Sequence, residues 1–277
     1  MIKILSKIFR KKQPAELNPV QDKPKELIQI LNEQIETGLH EFHRSNKGLF
    51  MAAFAGGMEI GFSVLFMGTI FTLFGTQLEP STLKFYLALC YPIGFIFVII
   101  GRSELFTEHT ALAILPVLSK SVKIKQLFIL WGLVYSGNIL GGWLFSLILT
   151  VVGPEVGFMD EKAFYHLAHE LVRFEWQTIL LSSLLAGWMM GLLGWLVTSS
   201  QETISRILVI ILVTTIIGVA GLHHCIVGNI EVFSGFLTSP NISLGDYLRF
   251  QLWATIGNAI GGTVFVAILK FGHSKVG

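Results

Sequence analysis

Eight residues that could exchange protons, donate hydrogen bonds or pair with charge lie in two short stretches of an otherwise apolar sequence. Arg102, Glu104, Glu108 and His109 fall between Gly101 and Thr110; His223, His224, Asn229 and Glu231 fall between Gly221 and Ser234. Ionisable groups at membrane depth are expensive to keep, so their presence marks an ion or proton path. His224 is the first candidate for a protonable group on such a path, with His223 sharing or taking that role. Glu104 is expected to satisfy loop amides or to pair with Arg102. Thr107 and Asn229 either donate hydrogen bonds toward a pore or cap half-helices. Metal binding by Glu104, Glu108, His109, His223 and His224 is the sharper alternative. Two consecutive histidines point apart on a helix, however, and no H-x-x-x-H spacing occurs, so no metal site is expected. The sequence has no nucleophile motif, phosphate loop or redox C-x-x-C pair, so neither enzymatic activity nor a cofactor is expected.

The elements that must position these residues repeat each other. Gly101-Arg102-Ser103-Glu104-Leu105-Phe106-Thr107 has its counterpart in Gly221-Leu222-His223-His224-Cys225-Ile226-Val227, and Asn138-Ile139-Leu140-Gly141-Gly142 has its counterpart in Asn258-Ala259-Ile260-Gly261-Gly262. The offset is 120 in both cases (221 − 101 and 258 − 138), which aligns His224 with Glu104. Hydrophobic residues make up 52% of the chain and charged residues 14%, with mean hydropathy +0.66. That balance excludes an ordinary soluble domain and implies an integral membrane protein in contact with lipid. A net charge of +2 gives no sign of a nucleic-acid partner. Cys90 and Cys225 lie in apolar segments and are expected as free thiols.

Six segments of about the ~20 residues that cross a bilayer are expected near 48–75, 83–117, 123–152, 175–199, 203–238 and 245–271. The second and fifth are too long and too polar to be plain helices, and breaks are expected over 101–110 and 221–234. The fold class is thus an all-α membrane protein with six transmembrane helices in an inverted 3+3 repeat. Lys120, Lys123, Lys125 and Arg206 mark cytoplasmic loops, while the third connection carries Glu155, Asp160, Glu161, Glu170 and Glu175, so both termini are expected in the cytoplasm. The chain divides into a basic arm and amphipathic helix (1–47), a transmembrane channel domain (48–271) and a short cytoplasmic tail (272–277). Within the arm, Pro14, Pro19 and Pro24 mark a linker, and Leu27, Ile30, Leu31, Ile35, Leu39 and Phe42 form one helical stripe that lies at the headgroups or packs under the bundle. Trp131, Trp143, Trp176 and Tyr165 are expected as interface anchors. Gly56, Gly57, Gly61, Gly187, Gly191 and Gly194 would allow close helix approach. Asn138 and Asn258 are expected as buried tethers for the two broken loops.

Glu104-Leu105-Phe106-Thr107 in a broken second helix, Gly221-x-x-His224 in a broken fifth, and Asn-x-x-Gly-Gly in the third and sixth resemble the formate/nitrite transporter family over roughly residues 45–271. The resemblance implies an aquaporin-like protomer with two broken helices, assembled as a homopentamer with one pore per protomer, in a bacterial cytoplasmic (inner) membrane. It implies passage of small monovalent anions of weak acids, such as formate or nitrite, in a pH-dependent way. By position, His224 would be the central pore histidine, Thr107 its hydrogen-bonding partner, Asn258 its support and Asn138 the pseudo-symmetric mate of Asn258. Leu105, Phe95 and Tyr91 would form one apolar constriction, with Ile217 in the other.

The chain also departs from that pattern. His223 stands where the family usually has Glu, and Gly228 stands where it has Asn, with Asn229 one residue on. Thr107-Glu108-His109 replaces Thr-Gly-Asn, which makes Glu104, Glu108, His109, His223 and Asn229 the selectivity candidates of a divergent branch. The fourth span lacks the usual Asn-x-x-x-Cys, and Glu170 or His169 stands near the place of a lysine, with Arg173 the nearest cation. A carboxylate at Glu108 would repel anions. The alternative readings are therefore a channel for small cations or neutral solutes such as ammonium, or a non-conducting membrane scaffold.

Overall fold

The computed structural model describes residues 24–276, and every regular element among them is a helix. The basic segment Met1–Lys12 and the linker prolines Pro14 and Pro19 lie outside the described residues. Leu27–His43 (α1) buries Ile30 and Leu31 and, on the same side, the polar Gln34 and Glu41. Lys25 Nζ donates to Thr198 O (2.8 Å) and Gln34 Nε2 to Thr198 Oγ1 (3.1 Å), so this helix lies under the end of the fourth span.

The first span comprises Asn46–Glu59 (α2) and Gly61–Phe74 (α3), and Ser45 starts it by accepting from Gly48 N at 3.1 Å. Pro92 divides the second into Pro80–Cys90 (α4) and Pro92–Gly101 (α5). Arg102 then takes a left-handed conformation (φ 65), and after residues 102–105 the helix resumes as Phe106–Leu112 (α6) and Leu115–Leu118 (α7). The third span is Ile124–Val156 (α8). The acidic connection that follows contains a helix, Glu161–Val172 (α9), which starts where Asp160 accepts from Ala163 N at 2.8 Å. The fourth span is Trp176–Ser199 (α10). The fifth is Thr203–Ala220 (α11), a left-handed Gly221 (φ 65), residues 222–224, and Cys225–Thr238 (α12). Leu244–Gly262 (α13) passes through a π-helical stretch, Thr263–Ile268, into Leu269–Val276 (α14). Helix therefore continues through most of the expected tail.

Five stretches among the described residues are long and apolar enough to cross a membrane: Asn46–Phe74, Pro80–Gly101, Ile124–Val156, Trp176–Ser199 and Thr203–Ala220. α13 occupies the place of the expected last span, 245–271, but it is less apolar and carries Asp246 and Arg249 near its start. The two breaks are shorter than the polar residues suggested. Each covers four residues, 102–105 and 221–224, so Glu108, His109, Asn229 and Glu231 sit on helices rather than in loops.

The halves are held together in matching ways. α2 packs on α8 and α10 packs on α13. The approach is closest where a Cβ on Gly57 would fall 2.2 Å from Asn138 O, and one on Gly187 would fall 2.2 Å from Asn258 O. Only hydrogen fits between these backbones, so glycine is required at both places. Two of the expected anchors are half-buried and bonded to the protein. Trp131 Nε1 donates to His109 O (3.1 Å), and Trp143 Nε1 donates to Tyr247 OH (2.8 Å), because each indole N–H finds a protein partner. Trp176 is 40% exposed and stacks on Trp253.

Candidate functional site

Each break ends at an asparagine from a neighbouring helix. Asn138 Oδ1 accepts from Phe106 N (2.8 Å), while its Nδ2 donates to Glu104 O (2.8 Å) and Ala53 O (2.7 Å). Asn258 Oδ1 accepts from Cys225 N (2.8 Å), while its Nδ2 donates to His223 O (3.1 Å) and Ser183 O (2.7 Å). One amide thus satisfies the first free N–H of a half-helix and a carbonyl of the loop before it, which lets helix resume after four residues. These bonds also correct the repeat register. Glu104 matches His223 and Phe106 matches Cys225 (223 − 104 and 225 − 106 are both 119), whereas the asparagines remain 120 apart. His224 therefore stands opposite Leu105 in the repeat.

Thr107 and His224, from the two half-helix starts, meet at the centre. Thr107 Oγ1 lies 2.9 Å from His224 Nε2, and both residues are buried. His224 Nδ1 accepts from Val227 N at 3.2 Å, so the ring caps α12. Phe95 meets the His224 ring edge-to-face (5.3 Å between centroids), and Tyr91 packs on Phe95 (5.4 Å). Leu105, Phe95 and Ile217 have no exposed surface, and Tyr91 is buried.

His223 points elsewhere. Its Nδ1 lies 2.8 Å from Ser182 Oγ and its Nε2 3.0 Å from Leu171 O, with Phe174 and Phe250 against the ring. Both ring nitrogens are engaged, and the residue joins the loop to α10 and to the end of α9. Asn229 is also occupied: it accepts from Tyr247 OH (2.7 Å) and donates to Ile139 O (3.4 Å). Gly228, one residue earlier, faces Phe250 and Leu171.

Glu104 does not pair with Arg102, whose left-handed backbone carries it to the surface. Its carboxylate instead bonds Arg44 Nη1 through one oxygen and lies 2.7 Å from His109 Nε2 through the other. Arg44 also donates to Glu41 at 2.6 Å. Glu41, Glu104 and His109 place possible metal-ligand atoms within 4.8 Å of one another, but the Arg44 guanidinium bridges the two carboxylates and supplies the balancing charge. Glu41, Arg44 and Glu104 open on a cavity of about 800 Å³ that Glu33, Glu108, Arg102 and Arg206 also line. Arg173 is half exposed and pairs with Glu170 at 2.9 Å.

Sequence reasoning missed Arg44, Ser182 and Tyr247 as partners and gave Glu231 no role. Arg44 had one signal, a cation at the end of the amphipathic helix facing a buried acidic motif. Ser182 and Tyr247 had none that distinguishes them from packing residues.

The formate/nitrite transporter family model matches residues 28–272. The inner membrane protein YfdC of Escherichia coli is 29% identical over 249 residues, covering 87% of this chain and 76% of that protein. The fold is similar to that of an FNT family ion channel, with TM-score 0.80 and 21% identity over 90% of this chain and 99% of the other. It is also similar to a pentameric formate channel with formate bound, with TM-score 0.72 and 21% identity over 83% and 98% of the two chains. With a match across nearly its whole length and the two broken helices that carry its motifs, this integral membrane chain belongs to the formate/nitrite transporter family.

Proposed function

We propose that the chain conducts small monovalent anions of weak acids, formate or nitrite among them, by a pH-dependent route centred on His224. The observation that carries this reading is the buried His224–Thr107 pair, held where the two half-helix starts meet and flanked by Phe95 and Tyr91. A small carboxylate crossing an apolar constriction loses hydration, which disfavours its charged form. Hydrogen-bond donors and two helix N-termini beyond that constriction compensate. Leu105 and Ile217 close the path, and Asn138 and Asn258 fix the loops that carry it. With α13 as a sixth span, both termini would lie on the cytoplasmic side of a bacterial inner membrane. Protomers assemble as a homopentamer with one path each, in keeping with the pentameric relative.

Formate or nitrite uptake into proteoliposomes as a function of pH tests this. His224→Asn should flatten the pH dependence while the protein still assembles. His223→Ala should lower stability more than it alters the pH profile, because His223 is bonded to Ser182 and Leu171 rather than to Thr107. The opposite pattern would assign the central role to His223.

A second reading has one specific observation in its favour. Glu33, Glu41, Glu104 and Glu108 all line one mouth, against Arg44, Arg102 and Arg206. An acidic mouth favours small cations or neutral acids, so ammonium flux that exceeds anion flux would replace the first reading with this one.

A further inference from the structure

Glu231 takes no part in the tethers, the His224–Thr107 pair or the Glu104 cluster. It is 8% exposed and makes no hydrogen bond or ion pair among the described residues. Seven residues separate it from His224, which on a helix puts it on the same side, about 10 Å further along α12. Ser234, one turn beyond it, is buried and its hydroxyl also has no partner. On the His224 side, Phe95 packs on the ring and Tyr91 packs on Phe95. Glu231 and His224 therefore lie on one side of α12, with the aromatic pair at the His224 end.

The charged and titratable groups on the neighbouring elements are otherwise engaged or distant. On α9, His166 stacks on Phe71, Tyr165 on His169, and Glu161, Lys162 and Glu170 are exposed. On α13, Tyr247 is bonded to Asn229, and Asp246 to Arg249. On α8, Tyr135 is bonded by Gln251 and Thr255, and Lys125 and Glu155 are exposed. Glu108 of α6 lines the Glu104 cavity and His109 is bonded to Glu104, Lys84 on α4 is exposed, and α3 carries no ionisable side chain. Among the described residues, therefore, no cation pairs with the Glu231 carboxylate.

We propose that Glu231 is a second proton-exchange group on the anion path, about 10 Å along α12 from His224. A buried carboxyl without a protein partner at this depth is held as the neutral acid or with a cation beside it. As the neutral acid it gives its proton to an arriving anion, so that Glu231-COOH and A⁻ become Glu231-COO⁻ and HA, and the neutral acid passes the aromatic pair. Ionised, it repels the next anion until it is protonated again. The inference rests on the proposed anion route, so two measurements are needed. The first is infrared titration of the protein in liposomes, which follows the carboxyl directly and needs no transport. A protonated-carboxyl band that titrates in the wild type and is missing from Glu231→Gln supports the proposal; its presence in the variant overturns it. The second is formate flux at symmetrical pH. Wild-type flux should fall roughly tenfold per pH unit on the alkaline side. Glu231→Gln should lose that fall and Glu231→Asp should keep it, with Glu231→Met replacing the glutamine variant if that one fails to assemble. A Gln or Met profile that superimposes on the wild type overturns the proposal. A titrating Glu231 band with no wild-type anion flux overturns the anion route and leaves Glu231 as a proton site.

Discussion

Removing the Asn258 amide gives the most direct test of how the second break is held. Asn258→Ala deletes an acceptor 2.8 Å from Cys225 N and a donor 3.1 Å from His223 O and 2.7 Å from Ser183 O. Ser183 O keeps its place in the α10 ladder. Cys225 N–H and His223 O have no such alternative, because one begins a helix and the other lies in the loop. Two stranded buried groups at about 1–3 kcal/mol each give a loss of about 2–6 kcal/mol. At roughly 2–4 °C per kcal/mol, the melting temperature in detergent should fall by roughly 5–20 °C. The loss is also local. Cys225 has no exposed surface in the wild type, so maleimide alkylation located by mass spectrometry should speed up at Cys225 and not at buried Cys90. Asn138→Ala should produce a similar loss of stability without exposing Cys225. The reasoning fails if Asn258→Ala melts within about 1 °C of the wild type and Cys225 reacts no faster.

Three further outcomes follow from the geometry. Arg44→Ala removes the cation that bridges Glu41 and Glu104; these side chains are 9% and 15% exposed, so a loss of about 1–3 kcal/mol is expected in thermal unfolding, with Arg44→Lys recovering part of it. Glu108→Gly removes a carboxyl from the cavity that Arg44 and Glu104 line and should raise anion flux relative to cation flux; an unchanged ion preference in vesicles would make Glu108 structural. Burial lowers the pKa of His166, which stacks on Phe71. Its neutral form is favoured by folding, so the associated stability is present above about pH 6.5 and is lost as pH falls below it; His166→Phe should make acid melting curves less steep in pH.

Much of this architecture could be read from the residues. Arg102, Glu104, His223 and His224 interrupt apolar runs, and a helix with such a cluster has to break, which located both breaks. Their length was misjudged because Glu108, His109, Asn229 and Glu231 are polar residues on helix faces. Composition does not distinguish a polar helix turned toward protein from a loop, and the tethering asparagines that allow helix to resume lie more than thirty residues away. The one-residue slip in the repeat had a similar origin: the motifs are aligned by glycine, but Asn138 and Asn258 grip the residues on either side of the break. Glu104 was expected to satisfy loop amides or to pair with its near neighbour Arg102, yet the partner is Arg44, 60 positions away, because the left-handed turn at Arg102 sends that side chain outward. The helix over Glu161–Val172 had a legible sign in Ala163, Phe164, Leu167 and Ala168, an apolar stripe at helical spacing within an acidic connection.

The cap that His224 provides for α12 fixes the direction of every hydrogen around it. Because Val227 N–H donates to Nδ1, that nitrogen offers a lone pair, and an uncharged ring carries its hydrogen on Nε2, pointing at Thr107 Oγ1. The Thr107 hydroxyl hydrogen is then left to turn away from the ring. Amide, imidazole and hydroxyl form a one-way wire whose positive end is an O–H on α6, so negative charge could be received there while the ring itself stays neutral. A proton arriving at Nδ1 has to take the lone pair that Val227 uses. Charging the ring and releasing the first turn of α12 are therefore one event, and the ionisation of this residue is felt in the backbone as well as along the path.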